Sequence, residues 1–251
     1  MLWYKSWLET RWRFLIGLSL LLCSAAGAVL TYPQVVRLTA AIPTANVPGM
    51  LGERIREAVE LSRSFRGYVW SNWFRQNLLQ TGTLFAILLG IAGLLSESGG
   101  ALFTLSLPVS RQRLLHVRAA AGLAELFALV FIPSMLLALL SPAIGQSYSM
   151  SSVLAHSVCF FVGASLFFSL ALLLSTMFSD PWRPVMIAVG IAVALALIEA
   201  FDVHALGVFR VMSGESWFRH GRLPWPGLLA TAAVSVSVYY GAVRNLVRRD
   251  F

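Results

Sequence analysis

Two carboxylates lie inside the apolar runs of this sequence, where a charged side chain is costly and indicates a function by default. Glu125 and Glu199 could carry a proton or an ion across a bilayer. Structural roles compete with that hypothesis, and we favour them. Glu125 follows Arg118 by two helical turns on the same face, so we expect it to pair with that arginine or with a neighbouring helix. Glu199 lies close to Asp202 and His204, so we expect it to reach the membrane surface.

Redox chemistry and ATP hydrolysis have weak sequence signals. His156 and His204 could act as axial haem ligands in a membrane redox complex, but one histidine pair alone is a poor indication. A P-loop needs a glycine-rich turn followed by lysine, and Lys5 is the only lysine in the chain. We therefore expect no catalytic residue, no metal ligand and no cofactor in this chain. Any ATP hydrolysis would have to occur on a separate subunit.

The most patterned polar segment is the stretch 96–118, with the sequence SESGGALFTLSLPVSRQRLLHVR, which separates two long apolar runs. Glu97 and Gly99 end the first run and turn the chain, and Pro108 stops a short apolar stretch. Ser110 is placed to cap the helix that leads into the next run. A simple connection between two helices needs about five residues. The extra length predicts that this link has a role of its own.

The elements around the link are membrane-length helices. Of the 251 residues, 58% are hydrophobic and only 12% are charged, and the mean hydropathy is +0.75. A bilayer core of roughly 30 Å needs about 20 apolar residues per helix, and the continuous apolar runs do not alternate as barrel strands would. The chain is predicted to be a single all-α integral membrane domain, residues 1–251, with six transmembrane helices. They are predicted at 14–32, 78–95, 119–140, 153–178, 185–201 and 227–243.

The distribution of arginines predicts the orientation. The net charge is +8, and on one side the basic residues crowd into short links at helix ends. On the other side, several basic residues lie in a long segment between glutamates. Basic residues in short loops favour the cytoplasmic side. Both termini and the 96–118 stretch are therefore predicted to be cytoplasmic.

Two outer segments are predicted to contain helices of their own. Residues 53–73 repeat apolar side chains at helical spacing, which predicts an amphipathic outer helix between the first two spans. The aromatic residues near its end would favour the membrane interface; they are Trp70, Trp73 and Phe74. The last outer link is predicted to hold two short interfacial helices broken at Gly214.

A stripe of small residues in the second span predicts close helix packing; it consists of Gly82, Ala86 and Gly90.

The segment ESGGALFTLSLPVSR resembles the link after the second span of ABC transporter permeases of the second exporter class (ABC-2 type). A glutamate, a glycine and a Leu-x-Pro-Val-Ser-Arg ending recur there. The six-span layout, with an interfacial helix after the first span and a broken outer segment before the sixth, is similar to that family too. The resemblance implies that the link is a coupling helix that docks into a separate ATPase subunit. Glu97 and Gly99 would shape its start. Its contact surface would be formed by Leu107, Pro108, Val109, Ser110 and Arg111.

By this resemblance, the chain is expected to be the permease subunit of an ATP-driven exporter in the cell (inner or plasma) membrane. Its partners would be a cytoplasmic ATPase that holds ATP and Mg²⁺, a second copy or a related permease, and lipid, but no nucleic acid. An amphipathic or lipid-like substrate is expected, because no charged track runs through the spans. Two other classes stay open: an ion-coupled secondary transporter that uses Glu125 and Glu199, and a non-catalytic subunit of a redox complex.

Overall fold

The computed structural model describes residues 2–41, 50–91, 110–178, 180, 182–200 and 207–248, and every regular element in these ranges is helical. In chain order the α-helices are α1 (Leu2–Ala41), α2 (Met50–Arg63), α3 (Phe65–Val69), α4 (Thr83–Gly90), α5 (Arg111–Leu140), α6 (Met150–Met177), α7 (Trp182–Ala200), α8 (Val208–Met212), α9 (Glu215–His220) and α10 (Trp225–Arg248). A π-helix (Trp70–Gly82) joins α3 to α4, and a 3-10 turn (Ser141–Ile144) follows α5. The predicted all-helical fold class is confirmed for the described part of the chain.

Five of the described helices are long and apolar enough to cross a membrane: α1, α5, α6, α7 and α10. Such a set is typical of a multi-pass membrane protein. These helices correspond to five of the six predicted spans, although the predicted spans 153–178 and 185–201 extend one residue beyond the ends of α6 and α7. The remaining span, 78–95, is helical as far as Gly90, at the end of a helical stretch that begins at Phe65. It is not among the five, and residues 92–95 lie outside the described ranges.

Helix α6 lies at the centre of the bundle, since its span has the largest buried share of the five, 56%. It packs against α4 and the π-helix through the stripe of small residues. A Cβ added to Gly82 would lie 2.6 Å from the ring of Phe160, and one added to Gly90 would lie 2.4 Å from the carbonyl oxygen of Phe168. Larger side chains would push the helices apart, so the predicted close approach is confirmed.

Hydroxyl and amide groups join α6 to α10. Ser235 Oγ lies 3.2 Å from Ser165 Oγ and 3.1 Å from Ser169 Oγ. Further along α10, the Asn245 side-chain amide donates to the Thr176 hydroxyl at 2.9 Å and to the Thr176 carbonyl at 3.3 Å. Polar side chains in a membrane stabilise helix association when a neighbouring helix satisfies them. These contacts fix α10 along much of α6.

The N-terminal part of α1 turns polar residues inward and aromatic residues outward. Ser6 and Thr10 are buried, whereas Trp3 and Trp12 are 56% and 63% exposed. Water would favour the opposite arrangement, while the interfacial region of a bilayer accepts amphipathic rings such as indole. From Trp3 to Tyr32 the helix measures about 44 Å at the usual rise per residue. That length matches a bilayer with its headgroup regions, roughly 40–45 Å.

The amphipathic outer helix predicted over 53–73 is interrupted in the structure. Ser64 adopts an extended conformation, with φ −108° and ψ 138°, and its side chain accepts a hydrogen bond from the N–H of Gly67 at 3.0 Å. Ser64 therefore ends α2 and caps the start of α3. The apolar spacing continues through this break, which is why the sequence pattern predicted one helix where there are two.

The aromatic residues after this break pack inside the protein instead of facing lipid headgroups. Trp70 and Trp73 are 1% and 0% exposed. Trp70 stacks on Phe218 of α9, with ring centroids 4.3 Å apart, and its indole N–H donates to the Ser213 carbonyl at 3.0 Å. The indole N–H of Trp73 donates to Ser134 Oγ at 3.4 Å. Because segments far along the chain cover these rings, a local sequence pattern does not reveal their burial.

Helices α8 and α9 meet at Gly214, so the predicted break there is confirmed. Gly214 has a φ of +64°, a conformation that L-residues with a Cβ rarely adopt. A Cβ at this position would also lie 2.4 Å from Nδ1 of the buried His156. Backbone conformation and close packing both require glycine.

We predict that Gly214→Ala destabilises the protein more than Gly145→Ala does. Gly145 has a similar φ of +70°, but nothing lies within 4 Å of an added Cβ. The left-handed conformation alone costs an alanine about 1–2 kcal/mol, and the contact with His156 adds about 1–3 kcal/mol of overpacking. Thermal unfolding of the detergent-solubilised variants measures the difference. Equal losses of stability would show that the His156 contact is unimportant.

Candidate functional site

The site residues predicted in the link fall into two groups. Those outside the described residues are Glu97, Gly99, Leu107, Pro108 and Val109. Ser110 and Arg111 lie at the start of α5, and the Ser110 side chain accepts a hydrogen bond from the N–H of Arg113 at 3.4 Å. The prediction that Ser110 caps this helix is confirmed. The described part of the site is the pair of helix ends on either side of residues 92–109, which we call the 92–109 link.

Arg13 of α1 holds the C-terminal end of α4. Its Nη1 donates to the carbonyl of Leu88 at 2.9 Å and to that of Ile91 at 3.2 Å. The last carbonyls of a helix have no partner within the helix, and a cation also complements the negative end of the helix dipole. Arg13 therefore attaches the last turn of α4 to α1 directly before the 92–109 link.

Glu9 of α1 holds the N-terminal part of α5. Its Oε2 lies 2.5 Å from Nη1 of Arg118. The Arg118 side chain is only 12% exposed, whereas that of Glu9 is 39% exposed. A hydrogen bond between two charged groups is stronger than one between neutral groups. This ion pair therefore attaches α5 to α1 two turns after the 92–109 link.

A second contact between α1 and α5 lies deeper in the bundle. The Thr10 hydroxyl donates to Glu125 Oε1 at 2.5 Å, and Glu125 is 5% exposed. Glu125 was expected to pair with Arg118 or with a neighbouring helix. Its hydrogen bond goes to the neighbouring helix, and although Arg118 is close enough to interact with it electrostatically, Arg118 forms its ion pair with Glu9.

Three side chains of α1 thus hold both ends of the 92–109 link. Arg13 lies four residues after Glu9 and three after Thr10, and residues at these spacings are neighbours on a helix surface. The three side chains therefore share one face of α1. With their partners Arg118 and Glu125 on α5 they form what we call the α1 clamp. Sequence reasoning identified the two α5 residues but not the three on α1. The available signal was a polar face on a helical segment whose other faces carry tryptophan.

The first turns of α5 are also attached to α10. His116 Nδ1 and the Tyr239 hydroxyl form a hydrogen bond, and their rings lie 5.9 Å apart. This contact and the Arg118–Glu9 pair approach α5 from two neighbouring helices. The start of α5 is therefore positioned on two sides.

Glu199 lies at the opposite end of the bundle from the α1 clamp, and it caps α8. Its Oε2 accepts the backbone N–H of Phe209 at 3.0 Å, and its Oε1 accepts that of Arg210 at 2.7 Å. The first N–H groups of a helix have no partner within the helix, so a carboxylate there stabilises the helix start. Asp202 and His204, which the sequence places beside Glu199, lie outside the described residues.

His156 is fully buried at the same end. Its Nδ1 lies 3.2 Å from the Ser213 carbonyl, and its ring stacks on Phe74 with centroids 4.6 Å apart. At this end burial also raises the pKa of the Tyr148 hydroxyl, because desolvation disfavours its charged form. Among the described residues, no group of three or more His, Cys, Asp or Glu side chains could hold a metal ion.

An open cleft of about 430 Å³ lies beside α2 and α9. Glu57 in this cleft pairs with Arg219 at 3.4 Å and approaches Arg75 at 4.0 Å. Arg219 pairs with Glu215 as well, at 2.7 Å. Because charges of both signs meet here, the cleft has no clear preference for an anion or a cation.

The chain matches no protein-family model, no curated protein and no solved structure.

We predict that Arg13→Gln loosens the last turn of α4, whereas Arg11→Gln does not. A hydrogen bond from a charged donor contributes about 1.5–3 kcal/mol, so amide hydrogen exchange over residues 86–91 should become at least roughly tenfold faster in Arg13→Gln. Arg11 is the matched control, because it is exposed and its guanidinium lies over the ring of Trp12. Unchanged exchange in Arg13→Gln would mean that the two carbonyl contacts do not hold α4.

Proposed function

We propose that this protein is the membrane-spanning permease subunit of an ATP-driven exporter, with a separate ATPase subunit that drives it through the 92–109 link. The observation that carries the proposal is that Arg13 and Glu9 of one helix hold the two ends of this link. A segment can transmit the movement of a bound partner only if its ends are attached to the helices that must move. The α1 clamp supplies that attachment.

The helix after the link is suited to transmit a displacement. It begins at the capped Ser110 and continues without interruption for 30 residues, which include a candidate membrane span. A helix of that length measures about 45 Å, enough to cross the bilayer. Movement at its first turn is therefore transmitted as a rigid-body displacement as far as Pro133, where the helix lacks one backbone hydrogen bond.

In this proposal the chain has six spans, both termini are cytoplasmic, and the link is a cytoplasmic coupling helix. Glu97 and Gly99 shape its start, while Leu107, Pro108, Val109, Ser110 and Arg111 contact the ATPase, which binds ATP and Mg²⁺. The proline-fixed backbone at Pro108 resists bending under load. Two permease copies, or this chain and a related one, form the path through the membrane, and the substrate is amphipathic or lipid-like.

The contacts of the two intramembrane carboxylates favour this proposal over an ion-coupled carrier. Glu125 accepts a hydrogen bond from Thr10, and both oxygens of Glu199 accept backbone N–H groups of α8. These two already have structural partners, which explains their presence without ion transport.

The experiment first asks whether a gene adjacent to this one encodes a P-loop ATPase and then measures binding between that ATPase and the permease. An isolated gene would count against the proposal. We predict that Pro108→Asp and Arg111→Glu each weaken binding at least tenfold and abolish stimulation of ATP hydrolysis, because they place a carboxylate on an apolar and basic contact surface. Arg183→Glu is the control, since Arg183 is an exposed arginine in the first turn of α7. If both link variants bind and stimulate the ATPase normally, the coupling role of the link is wrong.

A further inference from the structure

Two complementary atoms of the α1 clamp have no hydrogen-bond partner within the described residues. They are Nε of Arg118, a donor, and Oε2 of Glu125, an acceptor, and both are buried. A buried polar group without a partner is rare, and each case calls for an explanation. Here the donor and the acceptor belong to the same face of one helix and interact electrostatically.

The geometry of α5 brings these two side chains within reach of each other. Seven residues separate Arg118 from Glu125, which is two turns and about 10.5 Å along the helix axis. Helical side chains lean toward the N-terminus, so Glu125 leans toward Arg118, and the long Arg118 side chain must turn toward the C-terminus to meet it. Arginine has five N–H donors, and its ion pair with Glu9 engages Nη1. The buried Nε of Arg118, which has no partner among the described residues, is therefore available to a second carboxylate.

We propose that Arg118 exchanges carboxylate partners during the movement of the link. It pairs with Glu9 in the conformation described here and with Glu125 in a second conformation, in which α5 has shifted along α1. The inference rests on the proposed function for the force that drives the exchange. The exchange itself is a property of this chain alone.

The exposure of the two carboxylates makes both conformations accessible. Glu9 is 39% exposed, so its carboxylate becomes hydrated when Arg118 leaves it. Glu125 is 5% exposed and gains a charged partner in place of the Thr10 hydroxyl. In the first conformation Arg118 pairs with Glu9, and the Thr10 hydroxyl donates to Glu125. In the second, Arg118 pairs with Glu125, and water hydrates Glu9. Neither conformation therefore leaves a buried charge without a partner. Because Arg118 pairs with one carboxylate or the other, α5 has two discrete positions along α1 and no continuous range of positions between them.

Distance measurements between spin labels on α1 and α5 test the exchange without any ATPase. The labels replace Leu8 and Gln112, both exposed, in a chain whose free cysteines, Cys23 and Cys159, are changed to alanine. The purified protein is placed in lipid nanodiscs. We expect one main distance in the parent and in Glu125→Gln, because both keep the Arg118–Glu9 pair. In Glu9→Gln, at least half of the molecules should move to a second distance.

Two further variants separate partner exchange from general loosening. Glu60→Gln changes an exposed glutamate of α2, far from the clamp, and should leave the distribution unchanged. Glu9→Gln combined with Glu125→Gln removes both partners of Arg118, so the second distance should disappear. If that distance persists in the double variant, or if Glu9→Gln gives the parent distribution, Arg118 does not move to Glu125 and the inference is overturned.

Adding the ATPase links this test to the proposed function. With bound ATP, the parent complex should populate the second distance, and Glu125→Gln should reduce that population at least fivefold while ATPase binding changes less than twofold. A bound ATPase that leaves the parent distribution unchanged would overturn the use of the exchange in coupling. Failure of the ATPase to bind would contradict the proposed function instead, and the result without ATPase would still decide whether the exchange occurs.

Discussion

The ion pair between Arg118 and Glu9 is the contact on which the arrangement of this end of the protein depends. A guanidinium that is mostly removed from water must find its partners within the protein, because lipid supplies none. Here the partner comes from α1, and the next polar residues on the same face of α1 contact Glu125 and the end of α4. One polar face of α1 therefore sets the relative position of α1, α4 and α5.

The opposite end of the bundle is held together in a different way. Trp70 and Phe218 stack with their rings only 3° from parallel, and the guanidinium groups of Arg75 and Arg66 lie over their outer faces at 5.4 and 5.5 Å. Aromatic stacks and cation–π contacts of this kind combine large buried area with defined geometry. The capping carboxylate of Glu199 and the tight packing at Gly214 add to this. The ion pairs at this end, such as Glu57–Arg219, lie in an open cleft, so aromatic rings and not ion pairs make up its buried core.

The difference between the polar contacts at one end of the bundle and the aromatic packing at the other explains which features could be predicted from the sequence. Apolar runs located the parts of the helices inside the bilayer, but α1 and α5 continue beyond these runs, because helix ends depend on capping and on polar contacts. Gly214 was predictable, since a glycine between two short amphipathic segments indicates a break. The clamp was not, because Glu9 and Arg13 look like ordinary charges at the start of a span. Only the packing of α1 against α4 and α5 shows that they contact neighbouring helices. Glu9 and Arg13 lie 109 and 75 positions along the chain from their partners Arg118 and Leu88.

The two ends of the 92–109 link are attached with different strength. This difference bears on which neighbouring helix would move when the link is displaced. The last turn of α4 lies between Arg13 on one side and α6 on the other, where Gly90 permits close contact with the backbone at Phe168. Moving it would break charged hydrogen bonds and a tight packing contact together. The start of α5 is held by side-chain contacts that can be exchanged, at His116 and Arg118. If the link is driven by an ATPase as proposed, the end of α4 would act as the fixed point and α5, with the third predicted span, would move first.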